Sequence, residues 1–226
     1  MLKKIAPALF LLLLAGCNPT PPPSVPVEEL AEKGEFDYGH LEHNKYVNDF
    51  FKFEIQIPEG WAIQNKEQMK NLAKMGQKMV SGDDENMAAA VKASQINSAN
   101  LLVAYQHELG SMVETNPNIM VVAENVKNFP GIKTGQEYLF QAKKMLERSQ
   151  VKYTFQEISE SPVSYDGKDF YEMAATLEVG GQSVTQKFYS TILNGFSFNI
   201  ITTYFNEDEA ENLQEILKTM RFKGKR

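Results

Sequence analysis

The chain is poor in the residues that most often carry chemistry. Its 226 residues include one cysteine, Cys17, three histidines and one tryptophan. A single cysteine excludes an internal disulfide and any Cys-x-x-Cys metal or redox site. No G-x-S-x-G elbow is present, and Gly110-Ser111 lacks that context. Neither G-x-x-x-x-G-K-[ST] nor G-x-G-x-x-G occurs, so the familiar phosphate-cradling loops are absent too. Basic side chains number 23 against 29 acidic, a formal charge of −6. That sign opposes phosphate backbones, and nucleic acid is not an expected partner. No apolar run reaches the ~20 residues that a membrane span needs. What is plentiful is core material: 42% apolar residues, with 14 Phe and 9 Tyr, enough for one packed domain.

The apolar run from Ile5 to Leu14 follows Lys3 and Lys4, the layout of an export signal. It ends in Leu14-Ala15-Gly16-Cys17, which resembles the lipobox of bacterial lipoproteins. That resemblance implies cleavage after Gly16 and a lipid on Cys17, which then becomes the amino terminus. Loss of Lys3 and Lys4 makes the mature charge still more negative, and lipidation leaves no free thiol. Residues 17–44 are expected to form a tether. Pro19, Pro21, Pro22, Pro23 and Pro26 favour an extended spacer, and Glu28, Glu29, Glu32, Lys33 and Glu35 continue its polar character. A short helix near Val27–Lys33 has no evident packing partner. Asn18 is not the aspartate that retains lipoproteins in an inner membrane, so an outer membrane is expected if the cell has two.

From residue 45 onward the patterning is that of one folded domain. Phe53, Ile55 and Ile57 alternate with Glu54 and Gln56, a half-buried strand ended by Pro58-Glu59-Gly60. Trp61 reads as a core anchor. Asn65 with Gln68, Thr134 with Glu137, and Asn206 with Glu209 mark three helix starts. Strand-like runs cover Leu101–His107, Ile119–Val126, Tyr153–Ile158, Pro162–Tyr165, Lys168–Val179, Gln182–Leu193 and Phe196–Tyr204. Asp166-Gly167, Gly180-Gly181 and Asn194-Gly195 separate the last of these, which predicts an antiparallel meander.

Ile57-Pro58-Glu59-Gly60-Trp61, the helix at Thr134–Arg148, the meander Tyr165–Tyr204, the final amphipathic helix and Arg221-Phe222 together resemble PsbP-like domains. The resemblance spans roughly residues 45–222. It implies an α+β fold: an α/β/α sandwich with a mainly antiparallel sheet flanked by helices, as a single domain. The Mog-type Ran-binding fold shares that architecture, so shape alone does not dictate activity. PsbP proteins are extrinsic subunits that help a photosystem retain calcium and chloride. This chain carries a lipobox and proline tether where those proteins have a transit peptide, and their binding residues do not map onto it.

Each candidate site has an ordinary explanation. His40-Leu41-Glu42-His43 holds two imidazoles and a carboxylate, a zinc-like spacing only if helical, and it lacks H-E-x-x-H. His40 and His43 are therefore weak metal candidates in a solvated segment, and His107 reads as a surface histidine. Asp83-Asp84-Glu85 lacks the spaced ligands of a calcium loop and reads as a solvated turn. Met69, Met75, Met79 and Met87 suggest thioether chemistry, but Met69 and Met79 share an apolar helix face and read as core. Arg221, Lys223, Lys225 and Arg226 read as a frayed tail. No catalytic residue, cofactor or metal is assigned. The expectation is a protein that binds and does not catalyse: an accessory factor for assembly or stability of an envelope complex, with a membrane partner through Cys17 and an envelope protein partner. The alternative is a small-molecule- or metal-binding lipoprotein, which needs a pocket of ~300 Å³ or more with convergent polar groups.

Replacing Cys17 with serine is expected to move the chain from the membrane fraction to the soluble extracytoplasmic fraction. Mass spectrometry of the wild type should find an acylated Cys17 as the amino terminus; an unprocessed chain in the cytosol overturns the lipobox reading.

Overall fold

Three two-residue turns set the middle of the fold in a computed structural model that describes residues 25–223. Asp166-Gly167, Gly180-Gly181 and Asn194-Gly195 all adopt positive φ at both positions. That backbone matches the right-handed twist of flanking strands and closes tight hairpins. Strands β8 (Val163–Tyr165), β9 (Lys168–Val179), β10 (Gln182–Leu193) and β11 (Phe196–Tyr204) follow one another through these turns. β11 then pairs with β6 (Asn118–Asn125), β6 with β5 (Ser98–Tyr105), and β5 with the short β4 (Ala62–Ile63). With β7 (Tyr153–Phe155) beside β9, the large sheet runs β4-β5-β6-β11-β10-β9-β7, and β8 shares the β9 edge. Every strand pair among the described residues is antiparallel.

The two faces of this sheet bury different sets. Val103, Tyr105, Met120, Val122, Phe188 and Ile201 pack under Tyr138, Leu139, Ala142 and Leu146 of α4 (Gly135–Glu147), joined by Leu72 of α2 (Lys66–Ser81). The alternate residues, Leu102, Ala104, Ile119, Val121, Phe198 and Ile200, meet Leu213, Ile216 and Leu217 of α5 (Glu207–Lys218). β6 is buried along its whole length because both its faces are covered.

The expected α+β class is what the structure shows, with one addition. A second, four-stranded sheet shares the α5 face: β1 (His40–Glu42), β2 (Lys45–Asn48), β3 (Phe53–Gln56) and β12 (Arg221–Phe222), in that order. Phenylalanines join the two sheets. Phe51 and Phe53 lie with ring centroids 5.0 and 4.9 Å from Phe198, and Phe36 lies 5.2 Å from Phe196.

The tether boundary at residue 44 is corrected by this packing. Val27, in the short helix α1 (Val27–Glu32), is fully buried, and Phe36 is 5% exposed. Tyr46 donates its phenol hydrogen to the Tyr38 carbonyl at 2.7 Å, and the Asn48 amide donates to the Asp37 carbonyl at 2.9 Å. Residues 27–44 therefore belong to the domain. Isolated apolar residues in a Glu-rich segment give no period from which to foresee this. Arg221 and Lys223 are likewise tied down: Lys223 donates its backbone N–H to the Lys52 carbonyl, and its ammonium lies 3.0 Å from Glu54. Cys17, the prolines before residue 25, Lys225 and Arg226 lie outside the described residues.

All three foreseen helix caps are present. Asn65 and Gln68, and Thr134 and Glu137, form reciprocal capping boxes, and Asn206 accepts from the Glu209 N–H. A further helix, α3 (Glu85–Asn97), starts where the acidic run was read as a solvated turn: Asp84 is its N-cap and accepts from Met87 N–H. α4 sits so close to β10 that a Cβ on Gly135 would overlap the Ser190 carbonyl. Gly135→Ala is therefore expected to destabilise the fold by about 1–3 kcal/mol, measured by urea unfolding. A neutral effect would mean that α4 can lift without cost.

Candidate functional site

Along α2, Lys66, Met69, Lys70, Ala73 and Lys74 recur at three- and four-residue intervals, so they form one stripe along the helix. The stripe faces a cleft of about 820 Å³. The end of α3 contributes Gln95 and Ile96 to it, β5 and β6 contribute Ser98, Asn100, Leu101, Leu102 and Val122, and β4 with its exit contributes Ile63 and Gln64. The opposite wall is the amino-terminal segment, with Pro26, Glu28, Tyr38, His40, Leu41 and Tyr46.

Two local irregularities shape this cleft. β4 covers only Ala104 and Tyr105 of β5, so the rest of that edge has no strand beside it among the described residues. A bulge then shifts the β5–β6 register between Asn100 and Leu102, which lets Leu101 as well as Leu102 join the apolar floor. Across the cleft, Gly39 adopts a positive φ of 74° pressed against Tyr46. That close approach holds the loop from Tyr38 to Leu41 in place.

The polar groups are unevenly satisfied. Gln64 is 5% exposed; its amide nitrogen donates to the Ala62 carbonyl at 3.0 Å, while its Oε1 has no hydrogen-bond partner. The Gln95 Nε2 is buried and equally without a partner. Lys66 lies 4.0 Å from Glu28 and 5.3 Å from the centre of the Tyr38 ring. Burial, and to a smaller degree the Glu28 charge, push the Tyr38 phenol above its ordinary range, so it serves here as a neutral aromatic wall. Lys70 and Lys74 have no ion-pair partner among the described residues.

A second polar cluster lies under α4. Glu124, 1% exposed, accepts from Ser94 Oγ at 2.8 Å and from the Tyr138 hydroxyl at 2.7 Å. Burial and then the Glu124 charge drive the Tyr138 phenol far up, so it remains a hydrogen-bond donor. This enclosed network ties α3 and α4 to β6. A smaller groove of about 450 Å³ lies between α5 and Trp61. Trp61, read as a core anchor, packs against the core from a half-buried place on the groove's rim.

The other sequence candidates scatter. His40 lies on β1, a strand and not a helix, with its Nε2 3.2 Å from Glu42 Oε1; His43 follows in the turn at φ 58°. Among the described residues, no three His, Cys, Asp or Glu side chains converge on a common point. His107 is half-buried and exchanges two backbone hydrogen bonds with the Asn116 side chain. The methionines divide: Met87 is buried, while Met75 and Met79 are exposed, so the shared core face read for Met79 is corrected. α2 turns only a narrow stripe inward, through Leu72, Gly76 and Val80. No helix among the described residues is long and apolar enough to cross a membrane.

No protein-family model matches the chain, and no curated protein matches it. Among solved structures it is similar to cyanobacterial PsbP (CyanoP) from Synechocystis sp. PCC 6803. Identity is 12% and the TM-score 0.47, over 82% of this chain and 96% of the other. It is also similar to the Ran-binding protein Mog1p of Saccharomyces cerevisiae, at 11% identity and TM-score 0.41, over 81% and 96%. The third is LpqN of Mycobacterium tuberculosis, a protein involved in cell envelope biogenesis, at 13% identity and TM-score 0.39, over 75% and 82%. Likenesses at this level carry neither family membership nor activity to this chain.

If the cleft accepts an apolar guest, it should bind the neutral dye Nile red with a blue-shifted emission. Ala73→Trp, which fills the cleft from the exposed side of α2, is expected to abolish that signal and to leave the circular dichroism spectrum and thermal midpoint unchanged. Equal dye binding by both proteins would place the apolar site elsewhere.

Proposed function

We propose that the protein is a non-catalytic binding protein of the cell envelope, held at an extracytoplasmic membrane face through a lipid on Cys17. We further propose that it works through the cleft between α2 and the amino-terminal segment. The observation that carries this reading is the cleft itself. Its volume falls in the ~300–1,000 Å³ range of small-molecule sites, and it sets apolar side chains of the sheet beside a wall of charged and polar ones. Such a lining suits recognition. Bond cleavage asks for a positioned nucleophile or an acid–base pair.

Between the two modes of binding foreseen from sequence, the cleft favours capture of a small molecule over docking of a protein. An accessory role in assembly is compatible with it, since a carrier confined to a membrane face presents its ligand there at high effective concentration. The reading is tested on protein isolated from its native envelope. A solvent extract of the wild type should yield, by mass spectrometry, one molecule with an apolar chain near stoichiometric amount, and Ala73→Trp should lack it. Stoichiometric crosslinking of a protein partner to both forms alike, with no such molecule in either, would move the function to docking outside the cleft.

A further inference from the structure

Resting on the reading of the cleft as a ligand site, we infer that its ligand is an anionic single-chain amphiphile: one alkyl chain, an amide or hydroxyl near its head, and a terminal carboxylate or phosphate. Three independent features of the lining point to this chemistry. The floor formed by Ile63, Met69, Leu101, Leu102 and Val122 offers only apolar contacts, which suit an alkyl chain. Gln64 supplies a buried acceptor and Gln95 a buried donor, each without a partner among the described residues. Buried polar atoms are costly when unpaired, so a ligand that bears an N–H or O–H and a carbonyl satisfies them once these two side chains turn toward the cleft that they line. Lys66, Lys70 and Lys74 then put three cations along one wall, against Glu28 alone at the same rim, in a chain whose net charge is −6. Local positive charge on an acidic protein selects an anion.

The same floor argues against an added peptide strand. An incoming strand needs the regular ladder of an edge, and the bulge at Leu101 interrupts it within the stretch of β5 that β4 leaves bare.

Calorimetry on the full-length chain tests the inference with N-palmitoylglycine, palmitoyl lysophosphatidate and the neutral N-palmitoylethanolamine. Both anions are expected to bind at one per chain, and the neutral amide at least ~tenfold more weakly. The double variant Lys70→Glu/Lys74→Glu should weaken both anions by ~tenfold or more and leave the neutral amide unchanged. Gln64→Leu should weaken N-palmitoylglycine and leave palmitate, which lacks the amide, unchanged. Preference for the phosphate or the carboxylate identifies the headgroup source and supports the shared chemistry in either case. Equal affinity for N-palmitoylglycine and N-palmitoylethanolamine overturns the anionic assignment while the ligand-site reading stands. Absence of saturable binding by all three, together with Nile red binding unaffected by Ala73→Trp, overturns both.

Discussion

The structure depends on aromatic contact between its two sheets. Phe51, Phe53, Phe196 and Phe198 meet edge-on or tilted across the gap, Phe36 closes one end, and Phe222 brings in the carboxy-terminal strand 5.2 Å from Phe53. Each such pair contributes about 0.5–1.5 kcal/mol beyond its buried area. The small sheet needs this contact, because four strands of two to four residues are too short to stand alone. By fixing that sheet on the face of the large one, the phenylalanines also fix Tyr38 to Leu41, one wall of the cleft.

The cleft is thus a by-product of two demands that compete. The sheet buries its α4 face under helices, and α2 must leave β4 to reach that layer, ending with Val80 among Val91, Met145 and Val184. The amino-terminal segment is drawn to the opposite face by Val27 and Phe36. Between these departures, part of the β5 edge has no strand beside it among the described residues, and the space above it is lined by whatever α2 turns that way. That this stripe is Lys-Met-Lys-Ala-Lys, and that Gln64 is buried beside it half-satisfied, are choices of side chain that packing alone does not demand.

Much of the frame was legible from local chemistry. Asp-Gly, Gly-Gly and Asn-Gly each demand a backbone that only a tight hairpin supplies, so β9, β10 and β11 could be bounded to the residue. Side-chain caps fixed the starts of three helices. α3 escaped because its buried residues, Met87, Val91 and Ser94, are diluted by alanines and leave almost no apolar contrast around the helix. The docking of residues 27–44 escaped because Val27 and Phe36 are single anchors whose partners lie far along the chain. The cleft was the least legible part. Lys66, Lys70 and Lys74 read locally as the solvated side of a helix, and only tertiary structure sets them opposite Tyr38 and over Leu101. The unmet oxygen of Gln64 has no sequence signature at all.

Pro26 and Glu28 stand on the cleft rim, and this bears on where the opening can be in the cell. Pro26 lies nine residue steps after Cys17, and a fully stretched chain advances no more than ~3.6 Å per residue. With Cys17 anchored as proposed, the mouth is leashed to within roughly 30 Å of the headgroups, about one bilayer-core thickness. On that proposal, a leash of this length confines the mouth to the near side of one leaflet.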